Sequence, residues 1–301
     1  MDSALTTVGL PLALGIIMFG LGLSLTIADF RRVAQHPKVV VIALGCQLVL
    51  LPLVCFGLVV VFDLPALLAV GLMLLAASPG GTSANLFSHL FRGDVALNVS
   101  LTAVNSVISI VSLPLITNIA IDYFDLDDSV GLQFGKVVEV FAIVLVPVAI
   151  GMLVRAKAAS FAERMDRPVR IGSAVILAVL VIGILTSEAE NVSDYLGDVG
   201  LAAAVFCAVS LVTGYAVPRA AGVRSDQAIA CSMEIGVHNG TLAIYVALEV
   251  LDSLTQDQQE QVAVPAAVYS IVMFVFAALW GVYISRRVGS PADEQPVVPA
   301  A

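Results

Sequence analysis

Charge is scarce in this sequence. Asp, Glu, Lys and Arg make up only 12% of its 301 residues, about half the roughly 25% usual in a soluble domain. With 59% hydrophobic residues and a mean hydropathy of +1.02, that scarcity excludes a soluble globular domain and points to a polytopic membrane protein. Cysteine is equally sparse. Cys46, Cys55, Cys207 and Cys231 all fall in apolar runs without CxxC spacing, which argues against a disulfide framework or a thiolate metal site. The N-terminus lacks a basic region, and its first apolar run leads straight into a membrane stretch, so no cleavable signal peptide is expected. The net charge of −9 sits mostly in short loops and gives no reason to invoke a nucleic-acid partner.

Long apolar runs are what the chain does have. A membrane span needs roughly 20 apolar residues. Nine candidates are read at about 8–28, 38–62, 66–90, 95–120, 134–154, 170–187, 198–217, 227–250 and 262–285. The expected fold class is therefore an all-α polytopic membrane protein with a single transmembrane domain over 1–288. Its halves fall at about 1–121 and 134–286, and a Pro- and Ala-rich tail, expected to be disordered, covers 289–301.

Basic residues collect in the odd loops. They are Arg31, Arg32 and Lys38; Arg92; Arg155, Lys157, Arg164, Arg167 and Arg170; Arg219 and Arg224; and Arg286 and Arg287 after the last span. The even loops carry acids instead, at Asp122, Asp125, Asp127 and Asp128, then Glu188, Glu190, Asp194 and Asp198, then Asp252, Asp257 and Glu260; Lys136 alone breaks the alternation. The bias predicts an outer N-terminus and a cytoplasmic C-terminus in a cell (inner or plasma) membrane.

Two spans are interrupted. One contains Ser78-Pro79-Gly80-Gly81-Thr82-Ser83-Ala84-Asn85, the other Glu234-Ile235-Gly236-Val237-His238-Asn239-Gly240-Thr241. Free backbone groups survive at membrane depth only where they line a cavity or are buried in protein. A matched pair of broken segments, one per half, is the sequence mark of a secondary transporter built from an inverted repeat. Spans three and eight run in opposite directions, as such a repeat requires, and Gly81-Thr82 in one break answers Gly240-Thr241 in the other.

Glu234 is a carboxylate in mid-span, where a charge costs about 2.5–3.5 kcal/mol on insertion scales. Beside a helix break it suits a hard cation such as Na+, with unwound carbonyls as further ligands. The bland alternative is a protonated structural carboxyl. A helix starting near Thr82 would offer N–H groups and a positive dipole end to an anion; alternatively the break is a packing kink. Gln47 and the Asn98/Thr102 pair, one turn apart on one face, can serve a site or act as interhelical glue. Asn105, Ser106 and Ser109 extend that polar character. His238, four residues from Glu234, shares its side of a helical turn.

Several motifs together resemble the bile acid:sodium symporter family. They are Leu14-Gly15-Ile16-Ile17-Met18-Phe19-Gly20-Leu21-Gly22-Leu23, His36-Pro37-Lys38-Val39-Val40, Pro79-Gly80-Gly81-Thr82, Arg92-Gly93-Asp94-Val95-Ala96-Leu97 and Glu234-Ile235-Gly236-Val237-His238-Asn239. The resemblance implies panel and core domains, with spans three and eight unwound and crossing, and the family's first span is not matched. It implies Na+ sites formed by Asn85, Asn98, Thr102 and Glu234, and by Gln47, Glu234, the carbonyls around Ile235 and Val237, and His238. It implies substrate contacts at Gly81, Thr82, Asn239 and Gly240. The sequence departs from the family pattern at Ala84, Asn98 and His238, which leaves the Na+ stoichiometry open. Met273-Phe274, where some relatives carry His-Asn, points to a different or more apolar substrate.

The resulting expectation is a secondary-active symporter. It would take up an organic anion with Na+ by alternating access, with no cofactor beyond the coupling ion. Proton coupling through Glu234 and His238 is the alternative, and a metalloid exporter using Cys231 is a weaker one. An intramembrane enzyme would need a paired base or a second carboxylate, and no such partner for Glu234 is evident in the sequence.

Overall fold

The structure is a computed structural model. It describes residues 10–126, 132, 134–165, a few positions between 168 and 182, 192–251 and 253–287. The expected sixth span (170–187) and the tail (289–301) lie largely or wholly outside the described residues.

The described residues fold almost entirely into helices. The first, α1 (Leu10–Ser24), leads to α2 (Ile27–Gln35) and α3 (Pro37–Val61). Then come α4 (Ala66–Ala77), α5 (Thr82–Leu90), α6 (Val95–Tyr123) and α7 (Phe134–Lys157). The second half contributes α8 (Val192–Ala220), α9 (Ser225–Gly236), α10 (Gly240–Glu249) and α11 (Gln256–Arg287). Among the described residues five helices are long and apolar enough to cross a membrane: α3, α6, most of α7, α8 from Val199, and α11. The chain is therefore a multi-pass membrane protein.

Local chemistry explains several details. The short α2 lies where the sequence reads as a loop. Asp29 Oδ2 accepts from both the N–H and the hydroxyl of Thr26, each at 2.7 Å, and so closes a cap over the first turn. In α3 the ladder widens to a π-turn over Cys46–Leu50, and the Leu51 N–H reaches back to Cys46 O. Pro52 follows directly. It has no N–H to give, and its ring crowds the preceding turn, so the wide turn relieves both defects. Gln47 sits in that wide turn, buried.

α1 packs chiefly on α7. A Cβ at Gly22 would overlap the backbone of Val148, and one at Gly151 would overlap Phe19 O and Gly22. These small residues let the two backbones touch, which is how helices associate where lipid already satisfies apolar side chains. The remaining helices surround α4, α9 and α10, whose residues are almost all buried.

Candidate functional site

Both interruptions are present, and they meet. Chain α4 ends at Ala77, and Ser78–Gly81 run extended before α5 starts at Thr82 with Gly81 as its N-cap. Likewise α9 ends at Gly236 and α10 starts at Gly240, capped by the Asn239 side chain, which accepts from Leu242 N–H at 3.0 Å. The two irregular segments pair antiparallel at Gly80 and His238. Gly81 N–H donates to Val237 O, and Asn239 N–H to Pro79 O, both at 2.8 Å. Each break thus supplies the partners that lipid would withhold from the other. Four half-helix ends converge there, two carrying partial positive charge and two partial negative.

Glu234 occupies the last turn of α9 and is 2% exposed. Its carboxyl lies against Gly80 of the other break so closely that no Cβ fits there. Thr102, on α6, donates to Glu234 Oε2 at 2.5 Å. One turn earlier, Asn98 donates through Nδ2 to Ala230 O of α9 at 2.7 Å. Helix α5, which carries Asn85, packs on both α6 and α9.

The oxygens left over are informative. Among the described residues, Glu234 Oε1, Asn98 Oδ1, Asn85 Oδ1 and Gln47 Oε1 are buried without a hydrogen-bond partner. Each such acceptor costs about 1–3 kcal/mol if nothing satisfies it. A carboxylate with neutral oxygens around it is the donor set a hard cation takes. The residues present therefore suit a hard monovalent cation such as Na+.

On the other side of the crossing a hydrogen-bonded chain links four elements. Gln47 Nε2 donates to Ser78 O at 3.1 Å and lies 3.3 Å from His238 Nε2. His238 Nδ1 lies 3.2 Å from the Tyr269 hydroxyl, which donates to Gly236 O at 2.9 Å. If the tyrosine proton goes to Gly236, Nδ1 donates to the tyrosine oxygen and Nε2 accepts from Gln47. Either way, His238 bridges Gln47 and Tyr269. Tyr269, fully buried on α11, had not been singled out in the sequence. A tyrosine in mid-span needs a partner for its hydroxyl, and that was its only signal.

The other expected positions fall as follows. Val237 O is engaged by Gly81, and Ile235 is buried in the last turn of α9. Asn239 spends its side-chain oxygen on capping α10. Gly81 faces the backbone of His238 and Asn239, and Gly240 packs against Ser270 of α11. Thr82 opens α5, and its side chain lies outside the described residues. Met273 is buried, and Phe274 lies against Phe87 with ring centroids 5.8 Å apart. The four cysteines are free and buried, Cys231 among them.

Broken helices crossing over a buried carboxylate, inside an all-helical membrane bundle, define an ion-coupled carrier as the class. The profile of the sodium bile acid symporter family matches residues 11–195, and the chain belongs to that family, whose members are transporters and not enzymes. It is 28% identical over 300 residues to a probable chloroplastic sodium/metabolite cotransporter of Oryza sativa subsp. japonica, covering 98% of this chain and 67% of that protein. It is 28% identical over 285 residues to the uncharacterized sodium-dependent transporter YocS of Bacillus subtilis, covering 91% of this chain and 82% of the relative. It is 27% identical over 281 residues to the human ileal sodium/bile acid cotransporter, covering 92% and 79%. The chain spans about two thirds of the length of its plant relatives.

Proposed function

We propose that this protein takes up an organic anion together with Na+ by alternating access. The observation that carries this reading is the antiparallel crossing of the two breaks, with Glu234 pressed against Gly80 and held by Thr102. Na+ bound by Glu234, Thr102, Asn98 and Asn85 would satisfy the orphan oxygens and tie α9 to α5 and α6. Gln47, His238 and the carbonyls of Ile235 and Val237 form the second candidate set. Ordering the crossing would raise affinity for the substrate, and the substrate would raise affinity for Na+ by the same factor.

The positive ends of α5 and α10 suit an anionic group presented to Gly81, Thr82, Asn239 and Gly240. The expected substrate is bile-acid-like, pantoate-like or another carboxylate or sulfonate; the names of the relatives specify bile acid in one case and only a metabolite in another. The whole domain is read as nine spans in an inverted repeat with its N-terminus outside, the α1–α7 pair belonging to a panel domain.

The test is thermal stability of the detergent-purified protein in Na+ against choline at fixed ionic strength and two pH values. A ligand present at 100 times its Kd stabilises the native state by about 2.7 kcal/mol. Stabilisation by Na+ that is absent in Glu234→Gln, followed by Na+-driven uptake of a carboxylate into proteoliposomes, is the expected result. A shift with pH alone, dependent on His238, would replace Na+ by H+ as the coupling ion.

A further inference from the structure

One face of α6 continues beyond the candidate ion site. Asn98, Thr102, Asn105, Ser109 and Ser112 recur at spacings of four and three, so they line a single face of the helix. That face is roughly opposite Val107 and Val111, which are 50% and 60% exposed. The polar row therefore points into the protein, towards the elements α6 packs against, among them α4 and α9.

Asn105 is the anomaly in this row. It is 1% exposed, and among the described residues its Oδ1 has no hydrogen-bond partner. Its amide NH2 comes near enough to the Glu234 carboxyl to act on it as a donor. A buried amide oxygen left unsatisfied is costly. The hydroxyl next along the row is arranged in a related way. Ser109 spends its proton on Asn105 O at 2.7 Å, leaving oxygen lone pairs and no donor. Among the described residues Ser112 Oγ is buried without a partner. The free lone pairs of Asn105 Oδ1, Ser109 Oγ and Ser112 Oγ can receive a cation. Helix α6 contains no Lys or Arg, and its far end carries the exposed Asp122.

We infer that Asn105, with Ser109 and Ser112, forms an additional station for a hard monovalent cation, through which Na+ passes between the Tyr123 end of α6 and Glu234. From Thr102 to Ser112 the row rises about 15 Å, at 1.5 Å per residue. A station built from neutral oxygens binds weakly enough to release the ion, and the carboxylate beyond it binds more strongly, so the row feeds the site without trapping its cargo. This inference rests on the Na+-coupled reading above.

The experiment is a Na+ titration of thermal stability, in Na+/choline mixtures, of the purified full-length protein and of the Asn105→Leu, Ser109→Ala/Ser112→Ala and Glu234→Gln variants. Leu has nearly the shape of Asn without its polar atoms, so the melting temperature of Asn105→Leu in choline should be unchanged or higher. Stabilisation should continue to grow in the wild-type protein at Na+ concentrations beyond saturation of the Glu234 site, and this weaker phase should be lost in Asn105→Leu and reduced in the double Ser variant. A merely structural amide predicts the reverse, a lower melting temperature in choline with both phases of the Na+ response intact. A weaker phase absent from the wild-type protein, or present unchanged in both α6 variants, with the response lost in Glu234→Gln, overturns this station and leaves the main site standing. No Na+ response in the wild-type protein overturns both. If Asn105→Leu does not fold, the double Ser variant decides.

Discussion

The backbone of Gly80 lies against the carboxyl group of Glu234, so that a Cβ at position 80 would overlap the carboxyl carbon and both its oxygens. The two residues belong to different halves of the chain, and their contact joins one break to the last turn of the helix that leads into the other. Gly80→Ala must therefore push the carboxyl aside or open the bridge at His238. We expect a loss of roughly 1–3 kcal/mol of stability, in the range of overpacked cores, and loss of Na+-dependent stabilisation. Gly57→Ala, where an added Cβ meets nothing within 4 Å, is the control and should be near neutral. Melting curves of both variants with and without Na+ make the comparison.

Thr102→Val removes the hydroxyl that reaches Glu234 and keeps the shape. A hydrogen bond to a charged group is worth about 1.5–3 kcal/mol. The half-saturating Na+ concentration should rise roughly tenfold or more, read from the same titration. An unchanged value would remove Thr102 from the ion site.

Tyr269→Phe deletes the donor to Gly236 O and leaves His238 Nδ1 without its partner. The expected cost is about 1–3 kcal/mol. Because Gln47 and Tyr269 hold opposite ring nitrogens of one histidine, Gln47→Leu and Tyr269→Phe should be non-additive. A double-mutant cycle on melting should give a coupling of about 0.5–3 kcal/mol. Additive losses would mean that the chain through His238 does not act as a unit.

Gly151→Val drives a branched side chain into the backbone of α1 at Phe19 and Gly22. We expect a clear loss of thermal stability and of uptake. The protein that remains folded should still be stabilised by Na+, since Glu234, Thr102 and Asn98 lie on other helices. Loss of both responses together would show that the α1–α7 pair supports the ion site itself.

The breaks were legible in the sequence because glycine, proline and a carboxylate in the middle of apolar runs violate what lipid permits. Ser78–Gly81 and Val237–Asn239 fall inside the stretches read as interruptions, and Thr82 begins a helix where one was expected. The shared face of Asn98 and Thr102 followed from helical period alone, and the structure puts Thr102 on Glu234. Other features depend on partners distant in the chain. Tyr269 reads as an ordinary aromatic until His238 and Gly236 are folded beside it. The π-turn around Gln47 needs Pro52 to be seen as a ladder defect rather than a kink. Helix α2 was hidden because nine residues with two arginines resemble a loop until the Asp29 cap is noticed. Asn105 reads in the sequence only as an extension of the polar pattern, because a sequence does not show which buried amide oxygens go unpaired.

The pairing of Gly81 with Val237, and of Asn239 with Pro79, also carries a consequence for biogenesis. Gly81 N–H and Pro79 O have no backbone partner until the second break has been made, roughly 150 residues later on the ribosome. At about 5–20 residues per second that is an interval of roughly 8–30 s. Throughout it a half-built protein holds open peptide groups at membrane depth. Insertion chaperones have that time to shelter it, and membrane proteases have the same time to find it. A nascent chain stopped after α7 should accordingly be short-lived in the membrane, however apolar its helices are.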